Sequence, residues 1–179
     1  MATLRDPQRE AGHKCAASLI FSRCSLNSQS MPHFETNHVV KHSAEQMFAL
    51  VADVERYPEF LPLCEALSVR SRKERDGKVL LLADMTVGYK AIRETFTTQV
   101  LLKREERIID VNYIEGPFKY LDNVWRFEPV NDNQSIVHFC IDYEFKSRLL
   151  GALMGSMFDR AFRMFSEAFE KRADVIYGA

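Results

Sequence analysis

From Phe34 onward, apolar residues alternate, then recur at helical spacing, then alternate again for most of the chain, and finally return to helical spacing. "HFETNHVVK" predicts a strand with Phe34, Thr36, His38 and Val40 on one face. "HSAEQMFALVADV" predicts a helix with Met47, Leu50, Val51 and Val54 as its apolar stripe. Ser43 is its N-cap, and Gln46, three residues on, completes a capping box. Pro58 is expected to end the helical path, since proline has no N–H and restricts the residue before it, leaving a short second helix or turn through "ERYPEF". Six strands are predicted next: Ala66 to Arg72, Val79 to Val87, Ala91 to Leu102, Arg107 to Ile114, Lys119 to Pro129 and Ser135 to Phe145. Turns fall at Asp76-Gly77, around Gly88, and at "KREE", "EGPF" and "NDNQ". Strands joined this tightly are antiparallel neighbours, because parallel pairing needs a crossover.

The last helix is predicted from Leu149 to Ile176, about 40 Å long. Leu150, Met154, Met157, Ala161, Met164 and Ala168 form one apolar stripe, and Phe158, Phe162, Phe165 and Phe169 form another beside it. Together they are wider than the ~100° stripe of an ordinary surface helix, so something curved must cover them. Asp159, Arg163, Glu167 and Glu170 form the solvated side. The fold class that follows is α+β: a curved seven-stranded antiparallel sheet around a long C-terminal helix.

With 179 residues, 46% of them hydrophobic, the chain has the makings of one domain, expected over residues 31–179. Residues 1–30 lack sustained periodicity and read as a disordered tail, or as an over-extended start preceding a true initiation at Met31; a mitochondrial transit peptide is a further reading of them. Twenty-four basic residues against 25 acidic ones give no strong field for nucleic acid. No apolar run approaches the ~20 residues that cross a bilayer. Cys15, Cys24, Cys64 and Cys140 lack zinc-site pairing and are expected as reduced thiols.

The two prolines of "YPEFLP" sit among large apolar side chains, which predicts a rigid rim with Phe60 and Leu61 held non-helical at one end of a gap between sheet and helix. Leu121, Asn123, Trp125 and Phe127 share one strand face, and Val137, Phe139, Ile141 and Tyr143 share another. Either set serves as plain core or as tunnel wall. Glu94 and Asp84 lie where alternation makes a carboxylate awkward. Each is expected to pair with Arg93, Lys90 or Arg126, or to reach solvent, and the functional alternative is contact with a ligand. His33, His38, His42 and His138 are scattered and expected at the surface, and there is no Gly-rich phosphate loop, GxSxG or HExxH. Gly151 and Gly155 mark either close packing of the last helix or a soft first turn that admits a lipid or dips into a membrane with Leu149, Leu150 and Leu153, where Lys146 and Arg148 would face phospholipid.

"LVADVERYPEFLPLCEAL", "MTVGYKAIRETFTT", "YIEGPFKYLDNVWRFEP" and "IDYEFKSRLLGALMGSMFD" together resemble the coenzyme Q-binding proteins of the START-like superfamily, whose bacterial branch includes the ribosome association toxin. The resemblance spans Pro32 to Gly178 and implies a helix-grip fold, a hydrophobic tunnel and an isoprenoid quinone as ligand. It also favours a bacterial source. On this reading the ligand-binding residues are Tyr57, Phe60, Leu61, Met85, Phe96, Trp125, Phe127, Tyr143, Met154, Phe158, Phe162 and Phe165. No catalytic residue, metal or cofactor is expected. Ubiquinone is the bound ligand, carried in support of respiration or quinone biosynthesis by a cytoplasmic protein with a peripheral membrane contact at the inner face. Two alternatives stay open on the same fold: an inhibitor of ribosomal subunit association, and an enzyme of the polyketide cyclase or dehydratase kind.

Overall fold

The computed structural model describes residues 33–89 and 91–178, while the side chains of residues 153–159 lie outside the described set. Its strands are β1 (His33–Val40), β2 (Cys64–Arg75), β3 (Lys78–Tyr89), β4 (Ile92–Lys103), β5 (Ile108–Glu115), β6 (Phe118–Asn131) and β7 (Gln134–Phe145). They form one antiparallel sheet in the order β1-β7-β6-β5-β4-β3-β2. β2 through β7 are joined as consecutive hairpins. The helices between β1 and β2 carry the chain from one edge of the sheet to the other. Asp76 and Gly77, with φ of 53° and 71°, supply the left-handed pair that a two-residue hairpin needs, closing the turn between Arg75 and Lys78.

Helix α1 (Ala44–Ala52) begins with the expected capping box: the Gln46 N–H donates to Ser43 Oγ at 3.2 Å, and the Ser43 N–H to Gln46 Oε1 at 2.9 Å. The short second helix expected through "ERYPEF" is present, with Pro58 near its start instead of ending the helical path. A 3₁₀ turn, Val54–Arg56, follows α1, and Pro58 then stands in the first turn of α2 (Tyr57–Phe60), where its missing N–H has no intrahelical partner to lose. Phe60 is therefore helical, and only Leu61, with φ −81° and ψ 119°, is extended.

Helix α3 (Arg148–Tyr177) lies across the concave face, with Ala161, Phe162, Phe169 and Ala173 buried against it. Met164, expected in the apolar stripe, is 38% exposed and instead lines an outer groove with Phe60 and Pro62. Polar ties fasten the C-terminal half of α3: His42 to Asp174 at 2.8 Å, His38 to Glu170 at 2.9 Å, Arg172 to Glu59 at 2.7 Å, and the Tyr177 hydroxyl donating to the Gln46 carbonyl at 3.2 Å. His42 is thus buried, not at the surface, because Asp174 and the helix cover its ring.

Strand alternation sends charge to the outer face. Arg70 Nε donates to Asp84 Oδ2 at 2.5 Å, Lys103 pairs with Asp110 at 2.6 Å, and Lys119 pairs with Glu144. Asp84 is bound by Arg70 and Thr97 rather than by the expected Arg93 or Arg126, and Lys90 lies outside the described residues. Ser68 faces Asp84 across β2 and β3, which places Arg70 on the neighbouring diagonal of the same face, while Arg93 is taken up by Glu65. Cys64 is a free buried thiol, as expected, whereas Cys140 is disulfide-bonded.

Candidate functional site

Alternation on five consecutive strands points every second residue at α3, and where those residues are apolar they leave a cavity of about 150 Å³ between sheet and helix. Ala83, Met85 and Val87 of β3, Phe96, Thr98 and Val100 of β4, and Ile109 and Val111 of β5 form one wall. Leu121, Asn123 and Trp125 of β6, with Phe139 and Ile141 of β7, form the next, and Ala161, Phe162, Phe165 and Phe169 of α3 form the roof. Val51 and Val54 of the first helical segment and, on the sheet, Gly88 and the exposed Tyr89 complete the lining. The aromatic walls interlock edge to face: Trp125 lies 4.5 Å from Phe139 and 5.4 Å from Phe169, ring centre to ring centre.

Polar groups are few in this lining. Asn123 is buried, but its amide donates to the Cys140 carbonyl at 2.9 Å and its oxygen accepts from Trp125 Nε1 at 2.9 Å, so both ends are engaged. The Tyr57 hydroxyl donates to the Val51 carbonyl at 2.5 Å, and burial holds its pKa above the ordinary tyrosine value. The hydroxyl of Thr98, a residue 5% exposed, has no hydrogen-bond partner among the described residues.

Of the proline-flanked stretch, Tyr57 and Leu61 line the cavity, while Phe60 and Pro62 line a separate outer groove. Leu63 lines the cavity with φ 67°, a left-handed conformation that costs a bulky residue about 1–3 kcal/mol and is held here by the Gly88 N–H donating to the Leu63 carbonyl at 2.9 Å. Cys64 follows, its thiol pushed up to about 11 by burial. At the opposite hairpin, Gly116 has φ 137°, and a Cβ there would lie 2.6 Å from Phe96 Cβ, so only glycine lets Phe96 keep its place in the wall.

Of the residues singled out from sequence, Tyr57, Leu61, Met85, Phe96, Trp125, Phe162 and Phe165 line the cavity together. Phe60 lies in the outer groove, stacked edge-on with Phe169 under the Arg172 guanidinium. Phe127 packs against Phe48 of α1, and Tyr143 packs among Phe118, Phe145 and Phe162, both in solid core away from the lining. The side chains of Met154 and Phe158 lie outside the described residues. Sequence reading did not single out Val51, Val54, Leu63, Thr98 or Phe169 as ligand residues. Val51, Val54 and Phe169 sit on predicted apolar stripes and could have been found; nothing in the pattern announces Leu63 or Thr98.

Glu94 has the inward register of Phe96 but is only half-buried and stands outside the lining. On the sheet's outer face, His33, Cys140 and Asp142 bring one ligand-type atom each to within 4.8 Å of one another, but the Cys140 disulfide removes its thiolate from that set. Asp142 accepts from His33 at 2.8 Å, and this hydrogen bond raises the imidazole pKa.

A curved antiparallel sheet closed by a long terminal helix over an apolar cavity defines the helix-grip, START-like class of lipid-binding folds. The chain belongs to the polyketide cyclase / dehydrase and lipid transport family, whose model matches residues 40–170. It is 34% identical over 149 residues to the ribosome association toxin of Escherichia coli, covering 83% of this chain and 91% of that protein. It is 32% identical over 156 residues to the mitochondrial coenzyme Q-binding protein homolog B of Xenopus laevis, covering 86% of this chain and 62% of that one. The solution structure of an 18 kDa protein from Caulobacter crescentus superposes with a TM-score of 0.71 at 35% identity, over 83% of this chain and 100% of that one. An aromatase/cyclase from Streptomyces sp. R1128 superposes with a TM-score of 0.70 over 81% of this chain and 94% of that one, and at 18% identity it shares the fold alone.

Proposed function

We propose that this protein binds a polyprenyl quinone, ubiquinone in the first instance, and carries it as a soluble chaperone in support of respiration or quinone biosynthesis. The observation that carries the reading is the aromatic-walled cavity: about 150 Å³ is the size of an apolar cavity that takes up a single benzene ring. It matches a quinone ring and its first substituents, and a long isoprenoid tail has to continue beyond this volume. The coenzyme Q-binding relative supports the same ligand class. The described lining holds no carboxylate, histidine, lysine or arginine to move a proton at neutral pH, which supports carriage over catalysis. Leu149, 72% exposed beside Arg148 at the start of α3, is the apolar contact through which the protein touches the inner face of a bacterial membrane. No helix among the described residues is long and apolar enough to cross that membrane.

The test is to purify the protein from cells, extract it with organic solvent and identify co-purified lipid by mass spectrometry against a matched control. Near-stoichiometric ubiquinone is expected. An empty protein that also refuses added quinone would overturn the reading and move attention to co-sedimentation with ribosomal subunits, after the relatives named for ribosome association.

A further inference from the structure

Thr97 and Thr98 are adjacent, equally buried at 5% exposure, and differ in one respect. The Thr97 hydroxyl donates to Asp84 Oδ1 at 2.7 Å on the outer face. Thr98 lines the cavity, and its hydroxyl makes no hydrogen bond to any described residue. A lining hydroxyl without a protein partner is a polar group that a ligand can satisfy, and native interiors leave few such groups unmet. Valine would fill the same volume at that position with no polar group to satisfy.

The orphan hydroxyl lies deep. Ile92 pairs with Tyr89, the exposed residue of the lining, and Thr98 stands six residues further along β4, about 20 Å at strand spacing. Beyond it the lining is apolar apart from Asn123, whose amide is engaged at both ends, and Tyr57, whose hydroxyl is already given to Val51. Across the β4–β5 ladder, Thr98 pairs with Tyr113, which shares its inward register and whose buried hydroxyl also lacks a hydrogen-bond partner. Tyr113 stands outside the lining, so the unmet hydrogen-bonding capacity that faces the cavity is that of Thr98.

We infer that the ligand enters ring first, with a ring oxygen accepting a hydrogen bond from the Thr98 hydroxyl and the hydrocarbon tail trailing out past Leu63 and Tyr89. This rests on the quinone-binding reading and adds orientation and selectivity: the site recognises an oxygenated ring over a hydrocarbon of equal bulk. A cavity that hydrogen-bonds its ligand rejects the analogue lacking the oxygen, because the analogue leaves the buried group unpaired.

The experiment compares binding of decylubiquinone and decylbenzene to the wild type, Thr98→Val and Thr98→Ser. The wild type is expected to prefer decylubiquinone. Thr98→Val should lose about fivefold in decylubiquinone affinity, the worth of one net hydrogen bond, with decylbenzene unchanged, and Thr98→Ser should stay near wild type. A Thr98→Val protein that binds decylubiquinone as tightly as the wild type overturns the inference and leaves the quinone reading standing. Equal losses for both probes also overturn it, since they mark a change in cavity shape. A wild type that takes up neither probe brings down the quinone reading and this inference together.

Discussion

The two faces of the sheet are built from the same strands and treat polar groups in opposite ways. On the outer face, charged partners meet across neighbouring strands: Arg70 with Asp84, Lys103 with Asp110, Lys119 with Glu144, His33 with Asp142. On the inner face, Asn123 knits Trp125 to the backbone of Cys140, while among the described residues the buried Tyr113 hydroxyl has no hydrogen-bond partner and the cavity-lining Thr98 hydroxyl makes no hydrogen bond. Where solvent reaches an outer pair, as at Lys119 and Glu144, the pair is nearly neutral in stability, so losing it matters little. In the interior an unpaired group is expensive, so finding one marks a position shaped for something other than stability.

Substitutions should separate the faces. The largest effect is expected at Asn123→Leu, which preserves volume but strands the Trp125 indole N–H: a loss of ~1–3 kcal/mol in urea unfolding, against which a neutral result would mean the indole finds another acceptor. Tyr113→Phe should act in the other direction, raising the stability of the empty protein by ~1 kcal/mol through removal of an orphan hydroxyl; destabilisation of that size would show that the hydroxyl is satisfied in solution. Asp84→Asn, on the outer face, should cost ~0.5 kcal/mol or less at neutral pH. Its pH dependence has a defined sign. The Thr97 hydrogen bond, then Arg70, lowers the Asp84 pKa below the ordinary 3.8, so its contribution is complete above that value and fades as pH falls through the lower folded-state value. Acid unfolding curves of wild type and variant should therefore converge at the acid end, and a gap that widens there would refute the assignment.

Much of this contrast was legible in the chain. Period-two alternation in "KYLDNVWRFEP" and "SIVHFCIDYEF" put Leu121, Asn123, Trp125, Phe139 and Ile141 on the inner face, and the double stripe of α3 announced a curved cover. Alternation says which face a residue takes but not whether an atom opposite fills the space. That is why Phe127 and Tyr143, in register with the wall, are solid core against Phe48 and Phe118. Pro58 was misread because the same missing N–H that breaks a helix interior is harmless in a first turn, and only the break after Ala52 shows which case applies. The left-handed Leu63 had no signal, since the Gly88 N–H that its carbonyl accepts comes from the neighbouring strand, far along the chain.

Trp125 is the single tryptophan of the sequence and lies in the cavity wall, so its fluorescence reports directly on occupancy. The decisive measurement is a titration of the protein with decylubiquinone, following Trp125 emission. The account predicts saturable quenching at one quinone per protein, which decylbenzene displaces only weakly. Emission that falls linearly without saturation, as from chance collisions in solution, would contradict the claim that this cavity holds the ring.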